Sequence, residues 1–182
     1  MIDPRLDIDQ QRFLLKLARD AIRYHLEIGK PPPVSVEEGV LKEERGAFVT
    51  LKHGEELRGC IGYPLPQDPL YLTIMEAAVM AATHDNRFPA LTLQELPEVR
   101  IEISVLTLPY RIANVSEIVV GEHGIIITQG LNRGLLLPQV PVEWGWDLDT
   151  YLKHGCLKAG LEEDAWKKGA EIQVFSAQVF AE

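Results

Sequence analysis

The order of helix-like and strand-like patterns along the chain constrains its fold more than any other feature. Twice, two short apolar strands separated by a turn are followed by a helix pattern and then by one more strand. The predicted strands are residues 46–52, 56–61 and 99–106 in the first half, and 124–129, 134–137 and 171–180 in the second. Strands joined by short turns pair antiparallel, and the helices then pack together on the sheet. We therefore predict an α+β fold with antiparallel sheets and segregated helices.

The two halves also resemble each other in detail, which fits duplicated strand-strand-helix-strand units. Arg58-Gly59 and Arg133-Gly134 fall at comparable points of the second strand of each half, and a proline follows each pair a few residues later. In this alignment Leu135 stands where the first half has Cys60. If the halves are related, the scaffold tolerates an apolar residue there, which makes Cys60 a candidate for function rather than for folding.

Helix signals are clearest in the first half. Asp7 followed by Gln10 is typical of a capping box, and the apolar residues that follow at helical spacing end at Gly29. Asp68 followed by Pro69 predicts the next helix, with Asp68 as the N-cap and proline at the first helical position. We expect this helix to extend to about residue 84, where a polar cluster begins.

Composition and charge exclude several classes of function. The 182 residues are 46% hydrophobic and 25% charged, which is average for a globular protein, and the formal net charge is −9. A chain this acidic, without a run of lysine or arginine, is predicted to bind neither nucleic acid nor an anionic membrane. No apolar stretch approaches a membrane span, and the N-terminus lacks the features of a signal peptide. Because two cysteines are too few for a disulfide scaffold, we expect a soluble cytoplasmic protein with reduced thiols.

Residues 57–62, with the sequence LRGCIG, are the strongest candidate for a functional site. In a regular strand Arg58, Cys60 and Gly62 share one face, and Leu57, Gly59 and Ile61 share the other. A guanidinium and a thiol therefore lie together in a notch that accepts an anion. Gly59 and Gly62 leave the backbone open to close approach. In one interpretation Cys60 is a nucleophilic or redox thiol that Arg58 stabilises as the thiolate. In the other, Cys60 is a small buried hydrophobe, as free cysteines usually are.

A dense polar cluster at residues 83–89 closes the second helix. His84 is a candidate general base or partner for Cys60, and Arg87 is a candidate clamp for an anionic ligand. The alternative is ordinary capping, in which His84 interacts with the helix dipole and Asp85 and Asn86 form the exit turn. The sequence leaves both interpretations open.

Residues 137–147, which contain two tryptophans around a glycine, are the third candidate. We expect this segment to be a surface turn in which Gln139, Glu143 and Trp144 bind a ligand or a partner. The alternative is a rigid plug, in which both tryptophans cover the core below them.

Metal and cofactor binding receive little support from the sequence. His154 and Cys156 are two potential metal ligands, but no second closely spaced pair and no CxxC or HExxH pattern accompanies them. A glycine-rich loop of the Walker or dinucleotide-binding type is also missing. We therefore predict neither a bound metal nor a cofactor.

Several sequence blocks resemble the AMMECR domain family, named for the Alport syndrome, midface hypoplasia and elliptocytosis chromosomal region. Residues 57–62 are similar to the signature of that family. The further blocks are FVTL at 48–51, DNRFPAL at 85–91, ISVLT at 103–107 and GLLLPQV at 134–140, followed by Glu143, Trp144 and Trp146. They occur in the family's order over essentially the whole chain, so the chain is identified as a member of this family.

The resemblance implies a single α+β domain over residues 1–182, with a larger and a smaller subdomain. It carries over Arg58, Gly59, Cys60 and Gly62 as candidate site residues. Such domains often occur beside, or fused to, Memo-type and radical-SAM-type proteins, which makes these the expected partners in a shared pathway. We therefore expect a binding or pathway-component module that receives a small anionic ligand or a protein partner at residues 57–62. The alternative is an enzyme that uses Cys60 as a nucleophile or redox thiol.

Overall fold

The computed structural model describes residues 5–37, 39–65 and 67–182 of the chain. These residues form two compact units. The first unit consists of Met1–Leu106 together with Gln178–Glu182, and the second consists of Thr107–Ala177. The expectation of a single domain over the whole chain stays a prediction.

The first unit is a four-stranded sheet that packs against two helices. Its elements are α1 (Ile8–Ile28), β1 (Ala47–His53), β2 (Glu56–Tyr63), α2 (Leu70–Thr83), β3 (Val99–Leu106) and β8 (Ala177–Ala181). The strand order is β2-β1-β3-β8, and β1 pairs antiparallel with both β2 and β3. Ala47, Val49 and Leu51 alternate along β1 and are fully buried in the core beneath the helices. The strand β2 is therefore an edge strand of this sheet.

The first predicted helix is confirmed at both ends. The side chain of Asp7 accepts a hydrogen bond from the Gln10 N–H, and the Gln10 side chain accepts one from the Asp7 N–H, so the capping box is complete. Gly29 ends α1 with φ 65°, a left-handed conformation that glycine adopts without strain. The buried face of the helix consists of Leu14, Leu15, Leu17, Ala18, Ala21 and Ile22.

The start of α2 differs from the prediction. Asp68 is not its N-cap, because the helix begins at Leu70 and Pro69 takes the N-cap position with extended backbone. Pro69 forms an isolated β-bridge with Glu44, and the Leu70 N–H donates to the Glu43 carbonyl at 2.9 Å. This pairing holds the chain extended through the proline, so the helix begins later than the local sequence indicates. Its predicted end near residue 84 is confirmed.

The second unit has its own sheet and core. Its elements are β4 (Tyr110–Arg111), β5 (Gly124–Gln129), β6 (Asn132–Leu136), α3 (Gln139–Trp144), α4 (Leu148–Lys158) and β7 (Glu171–Phe175). The strand order is β4-β7-β5-β6, and all three neighbouring pairs are antiparallel. The helix α4 packs on β5 and β6 around a core that includes Ile125, Ile127, Tyr151, Leu152 and Val174.

The last predicted strand, residues 171–180, was wrong as a single element. The chain forms two strands there, β7 and β8, which belong to different sheets and are separated by Ser176. The Ser176 N–H donates to the Thr107 hydroxyl and its carbonyl accepts from the Thr107 N–H, both at 2.8 Å. Because both backbone groups of Ser176 bind Thr107, neither is available to continue a strand ladder.

Both units contain the order strand-strand-helix-strand and share one sheet layout, although the fourth strand comes last in the first unit (β8) and first in the second (β4). The order β2-β1-β3-β8 of the first unit corresponds to β6-β5-β7-β4 of the second, with the later strand of the hairpin at the edge in both. The predicted α+β class with antiparallel sheets is confirmed, while a common origin of the two units stays a prediction. Among the residues that the structure describes, no helix is long and apolar enough to cross a membrane.

Candidate functional site

A β-bulge interrupts the regular alternation of β2 at the predicted site. Cys60 lies opposite Thr50 and Leu57 lies opposite Lys52, so Arg58 is the extra residue of the bulge. Opposed residues share a face, and Thr50 and Lys52 are two residues apart on β1, so Leu57 lies on the same face as Cys60. The prediction that placed Leu57 on the other face was therefore wrong, because strict alternation ends at the bulge.

Cys60 is a half-buried free thiol. Its backbone N–H and carbonyl point away from β1, so Cys60 and Thr50 form a pair without mutual backbone hydrogen bonds, in which side chains approach closely. The Thr50 hydroxyl donates a hydrogen bond to the Cys60 sulfur over 3.3 Å. The sulfur is thus held against the sheet while part of the residue remains accessible.

Asp85 and Arg87 bind the outer edge of β2 at Cys60, and we name this pair the edge clasp. The Cys60 N–H donates to Asp85 Oδ2 at 2.9 Å, and Arg87 Nη2 donates to the Cys60 carbonyl at 3.5 Å. Arg87 also donates to both Asp85 oxygens, from Nε at 2.9 Å and from Nη2 at 2.7 Å. The two side chains therefore satisfy the backbone groups that a neighbouring strand would otherwise bind.

The edge clasp carries a stable pair of charges. The hydrogen bonds from Arg87 hold the pKa of the Asp85 carboxyl well below its usual range, and the Cys60 N–H acts in the same direction. The same hydrogen bonds raise the pKa of Arg87. The Asp85 side chain is only 4% exposed, whereas that of Arg87 is 53% exposed. The acid is therefore enclosed, and the guanidinium faces solvent.

Arg58 is held by the loop that follows α2. Its Nη1 donates to the Pro89 carbonyl at 2.9 Å, and its Nε and Nη2 donate to the Glu95 carboxylate. Thr92 donates to the same carboxylate from its N–H and its hydroxyl, and these bonds lower the pKa of Glu95. The Arg58 side chain is 14% exposed and attaches this loop to β2, and it makes no hydrogen bond to the Cys60 sulfur.

His84 is the C-cap of α2. The Thr83 hydroxyl donates its single proton to the Val79 carbonyl at 2.7 Å, so the His84 Nδ1, also 2.7 Å from that hydroxyl, is the donor to its oxygen. No hydrogen bond joins His84 to Cys60 in the part of the chain that the structure describes. This arrangement matches the capping alternative for His84, and a role as general base stays a prediction.

The two glycines of the signature have packing roles. A Cβ atom on Gly59 would collide with the carbonyl oxygen of Ala81 in α2, so glycine allows the helix to approach the strand closely. A Cβ atom on Gly62 would collide with the ring of Phe48, its cross-strand neighbour. Both glycines thus give space to groups of this chain, and their contact with a ligand stays a prediction.

The candidates Gln139, Glu143 and Trp144 belong to the second unit and lie on a helix. Residues 137–147, predicted as a surface turn, contain α3, which ends at Gly145 with φ 64°. The prediction of a turn was wrong because Pro138, which precedes α3, already has helical backbone angles. All three side chains are nevertheless exposed, as the prediction required.

The sequence did not assign Thr50, Asp85 or Glu95 to the site, and it interpreted Asp85 only as a residue of the exit turn. Thr50 binds the sulfur, Asp85 binds the Cys60 backbone, and Glu95 binds Arg58. Glu95 had a local signal, because Thr92 stands three residues before it, as in a capping box. In the described parts of the chain, no group of three or more histidine, cysteine or acidic side chains is placed to hold a metal ion.

Comparison with known proteins identifies relatives over nearly the whole chain. The AMMECR1 family model matches residues 15–180. Protein MK0488 of Methanopyrus kandleri is 48% identical over 98% of this chain and 91% of its own length. Protein MJ0810 of Methanocaldococcus jannaschii is 45% identical over 97% of this chain and 92% of its own. The crystal structure of uncharacterized protein PH0010 from Pyrococcus horikoshii covers 93% of this chain and 90% of its own, with 41% identity and a TM-score of 0.76.

Proposed function

Because this chain belongs to the AMMECR1 family, we propose that it is a binding or pathway component that receives its ligand or partner at residues 57–62 of β2. The observation that carries the proposal is the pairing of the groups around Cys60. Asp85 is bound by Arg87, and His84 is bound to Thr83. Among the residues that the structure describes, neither side chain makes a hydrogen bond to the Cys60 sulfur, which is the contact through which a base would abstract its proton.

Arg87 is the group best placed to attract an anion at this site. Its Nε and Nη2 bind Asp85 and the Cys60 carbonyl, while its Nη1 makes no hydrogen bond to any residue that the structure describes. The guanidinium thus keeps N–H groups that can donate to a phosphate or carboxylate oxygen without breaking the edge clasp. A small anion, or an acidic group on a protein partner, is therefore the ligand that we propose.

The proposal also covers the cellular setting that the family resemblance implies. We assign Memo-type and radical-SAM-type proteins as partners in a shared pathway, on the strength of that resemblance. We place the protein in the cytoplasm, where Cys60 and Cys156 would remain the free thiols that they are here.

Titration of the 15N-labelled protein with sodium phosphate, and separately with a short glutamate-rich peptide, tests the proposal. We expect saturable shifts of the Cys60 amide and Arg87 guanidinium resonances with at least one of the two probes. Substitution Arg87→Gln should weaken this binding at least fivefold, because the charge and the fork of donors are lost. Cys60→Ser should retain the wild-type affinity within twofold, because binding does not use the thiol.

Arg111→Gln is the matched control, because Arg111 is also exposed and also pairs with an acid, Glu171. Its titration should equal that of the wild-type protein. Thermal unfolding of each variant separates lost binding from lost folding, since Arg87→Gln removes the partner of a buried carboxylate. If neither probe shifts the two resonances saturably, or if Arg111→Gln weakens binding as much as Arg87→Gln, the proposal fails.

Two observations favour a second candidate function, an enzyme that uses the Cys60 thiol. The Thr50 hydroxyl donates to the sulfur, an arrangement that suits a thiolate acceptor. The positive charge of Arg87 also lies close enough to interact with Cys60. The rate of alkylation of Cys60 distinguishes this candidate from the first.

A further inference from the structure

The indole ring of Trp144 on α3 is exposed to solvent, and the packing of the fold does not require it there. Trp144 is 71% exposed, and its neighbour Val142 is 64% exposed. Large aromatic side chains are usually covered in a folded chain, and exposed ones that cluster with other apolar groups mark interaction surfaces. The core of the second unit is complete without Trp144, which is not part of it. The exposure of this ring is therefore a feature that folding does not explain.

Two further rings beneath Trp144 hold it in place. Trp144 stacks on Trp146 with ring centroids 6.2 Å apart and planes inclined by 22°. Trp146 stacks in turn on His154 of α4, at 3.9 Å and 4°. Trp146 and His154 are half-buried, and Trp146 packs against the core of the unit. This stack of three rings orients the Trp144 indole before a partner binds, which lowers the conformational entropy lost on binding.

The segment that carries Trp144 is acidic. Residues 139–150 contain Glu143, Asp147 and Asp149, but no lysine, arginine or histidine. Glu143 is exposed and makes no hydrogen bond or ion pair with any residue that the structure describes. Hydrogen bonds from Thr150 lower the pKa of Asp147, which therefore keeps its negative charge. An indole face and carboxylates both attract cations, and they repel acidic partners.

We propose that Trp144 and Glu143 form a docking surface for an arginine side chain in a basic segment of a partner protein. A planar guanidinium can stack on the indole, and the negative charge of Glu143, one residue away on the same helix, attracts it. Charge complementarity supports this occupant, because the formal net charge of the chain is −9 and the segment around the ring is purely acidic. The chain already places an arginine over an aromatic ring, since the guanidinium carbon of Arg87 lies 5.5 Å from the centroid of the Phe88 ring.

This surface does not depend on the function proposed for residues 57–62. The two proposals name ligands of opposite charge, so either can fail without the other. A glutamate-rich peptide should leave the Trp144 indole resonance unchanged, and an arginine-rich peptide should shift it.

The probe is a short glycine-arginine peptide, compared with the same peptide in which citrulline replaces arginine. Citrulline keeps the shape of the side chain and removes its charge. Binding is followed by the indole Nε1–H resonance of Trp144 in the 15N-labelled full chain. We expect saturable binding of the arginine peptide, with a dissociation constant at least fivefold lower than that of the citrulline peptide. Raising the salt concentration to about 0.5 M should weaken this binding, because the contact is exposed.

Two variants and their matched controls locate the contact. We expect Trp144→Ala to weaken binding of the arginine peptide at least fivefold and Glu143→Gln to weaken it at least twofold. Because Trp144→Ala lacks the indole, its binding is followed by the Glu143 and Gly145 amide resonances. Tyr110→Ala removes another exposed aromatic ring of the same unit, and Glu122→Gln removes another exposed carboxylate. Both controls should bind as the wild-type chain does. Because Trp144 is 71% exposed, Trp144→Ala should keep the wild-type melting temperature within a few degrees.

Three results would overturn the proposal. The first is equal binding of the citrulline and arginine peptides, which would remove the role of charge. The second is binding of the arginine peptide by folded Trp144→Ala with the same affinity as the wild-type chain. The third is a wild-type dimer that Trp144→Ala converts to a monomer in sedimentation experiments, together with no binding of the arginine peptide, because a second copy would then cover the ring.

Discussion

Cys60 is held in place mainly through its backbone. Asp85 accepts the Cys60 N–H and Arg87 donates to its carbonyl, so the two side chains occupy the position of a missing neighbouring strand. An edge strand with unpaired polar groups invites pairing with other chains, and the edge clasp prevents this at one residue. The same contact leaves the Arg87 side chain 53% exposed, next to the cysteine. Protection of the edge and presentation of a positive charge therefore depend on one pair of residues.

The charge of Asp85 should appear in the pH dependence of stability. Its pKa is lowered in the folded chain, so its contribution is fully present above about pH 4, the pKa of an aspartate in an unfolded chain. The contribution is lost as the pH falls toward the lower, folded pKa. We expect Asp85→Asn to lower the free energy of unfolding by about 1–3 kcal/mol at pH 7. The difference in this free energy between the variant and the wild type should become smaller as the pH falls from about 4.5 to about 2.

Urea unfolding followed by circular dichroism across this pH range measures the effect. Asp9→Asn is the control, because Asp9 is 94% exposed on α1, and its difference from wild type should stay near zero at every pH. A difference for Asp85→Asn that is the same at pH 7 and at pH 2.5 would contradict the account.

The edge strands β2 and β6 each contain a glycine that allows close packing of a helix. Gly59 of β2 lies against the backbone of Ala81 near the end of α2, and Gly134 of β6 lies against the backbone of Lys158 and Ala159 at the end of α4. In both units glycine lets the helix approach the strand more closely than any side chain allows. The glycine of the shared Arg-Gly pair thus has a packing explanation, which applies whether or not residues 57–62 also bind a ligand.

Gly59→Ala should be strongly destabilising, because the new methyl group meets a backbone carbonyl that no side-chain rotation can move. We expect a loss of about 2–4 kcal/mol in the free energy of unfolding, and a similar loss for Gly134→Ala. Gly54→Ala is the control, because its site is open and only its φ of 60° causes strain, which costs about 1–2 kcal/mol. A loss for Gly59→Ala no larger than that for Gly54→Ala would show that the close contact does not constrain the fold. Urea denaturation of the three variants gives the comparison.

At the scale of the whole molecule, local patterns predicted the fold class but not the organisation of the site. The capping box at Asp7 and the strand β3 follow from neighbouring residues, and both are confirmed. The partners of Cys60 and Arg58 depend on contacts between distant residues, because Asp85 is 25 positions from Cys60 and Glu95 is 37 positions from Arg58. The bulge at Arg58 was likewise missed, since alternation of residue types does not reveal a register shift.

The sequence indicated which segments lie together better than it indicated how their residues pair. Residues 57–62 and 85–89 come together in the first unit, as expected if they form one site. Arg58, however, is bound by Glu95 and Pro89, and the exposed guanidinium beside Cys60 belongs to Arg87. Residue types alone could not distinguish these two arginines. Their roles differ because Arg58 binds Glu95 in the loop after α2, whereas Arg87 binds Asp85 beside Cys60.

The central claim is that residues 57–62 bind a ligand or partner without thiol chemistry. The rate of alkylation of Cys60 by iodoacetamide at pH 7 tests it most directly, with the same cysteine in the urea-unfolded chain as reference. Cys156 is an internal control, because it is fully buried and burial raises its pKa, so it should react only on unfolding. The account predicts that folded Cys60 reacts no faster than in the unfolded chain. A rate at least tenfold faster, which Thr50→Val or Arg87→Gln then reduces, would contradict it and identify Cys60 as an activated nucleophile.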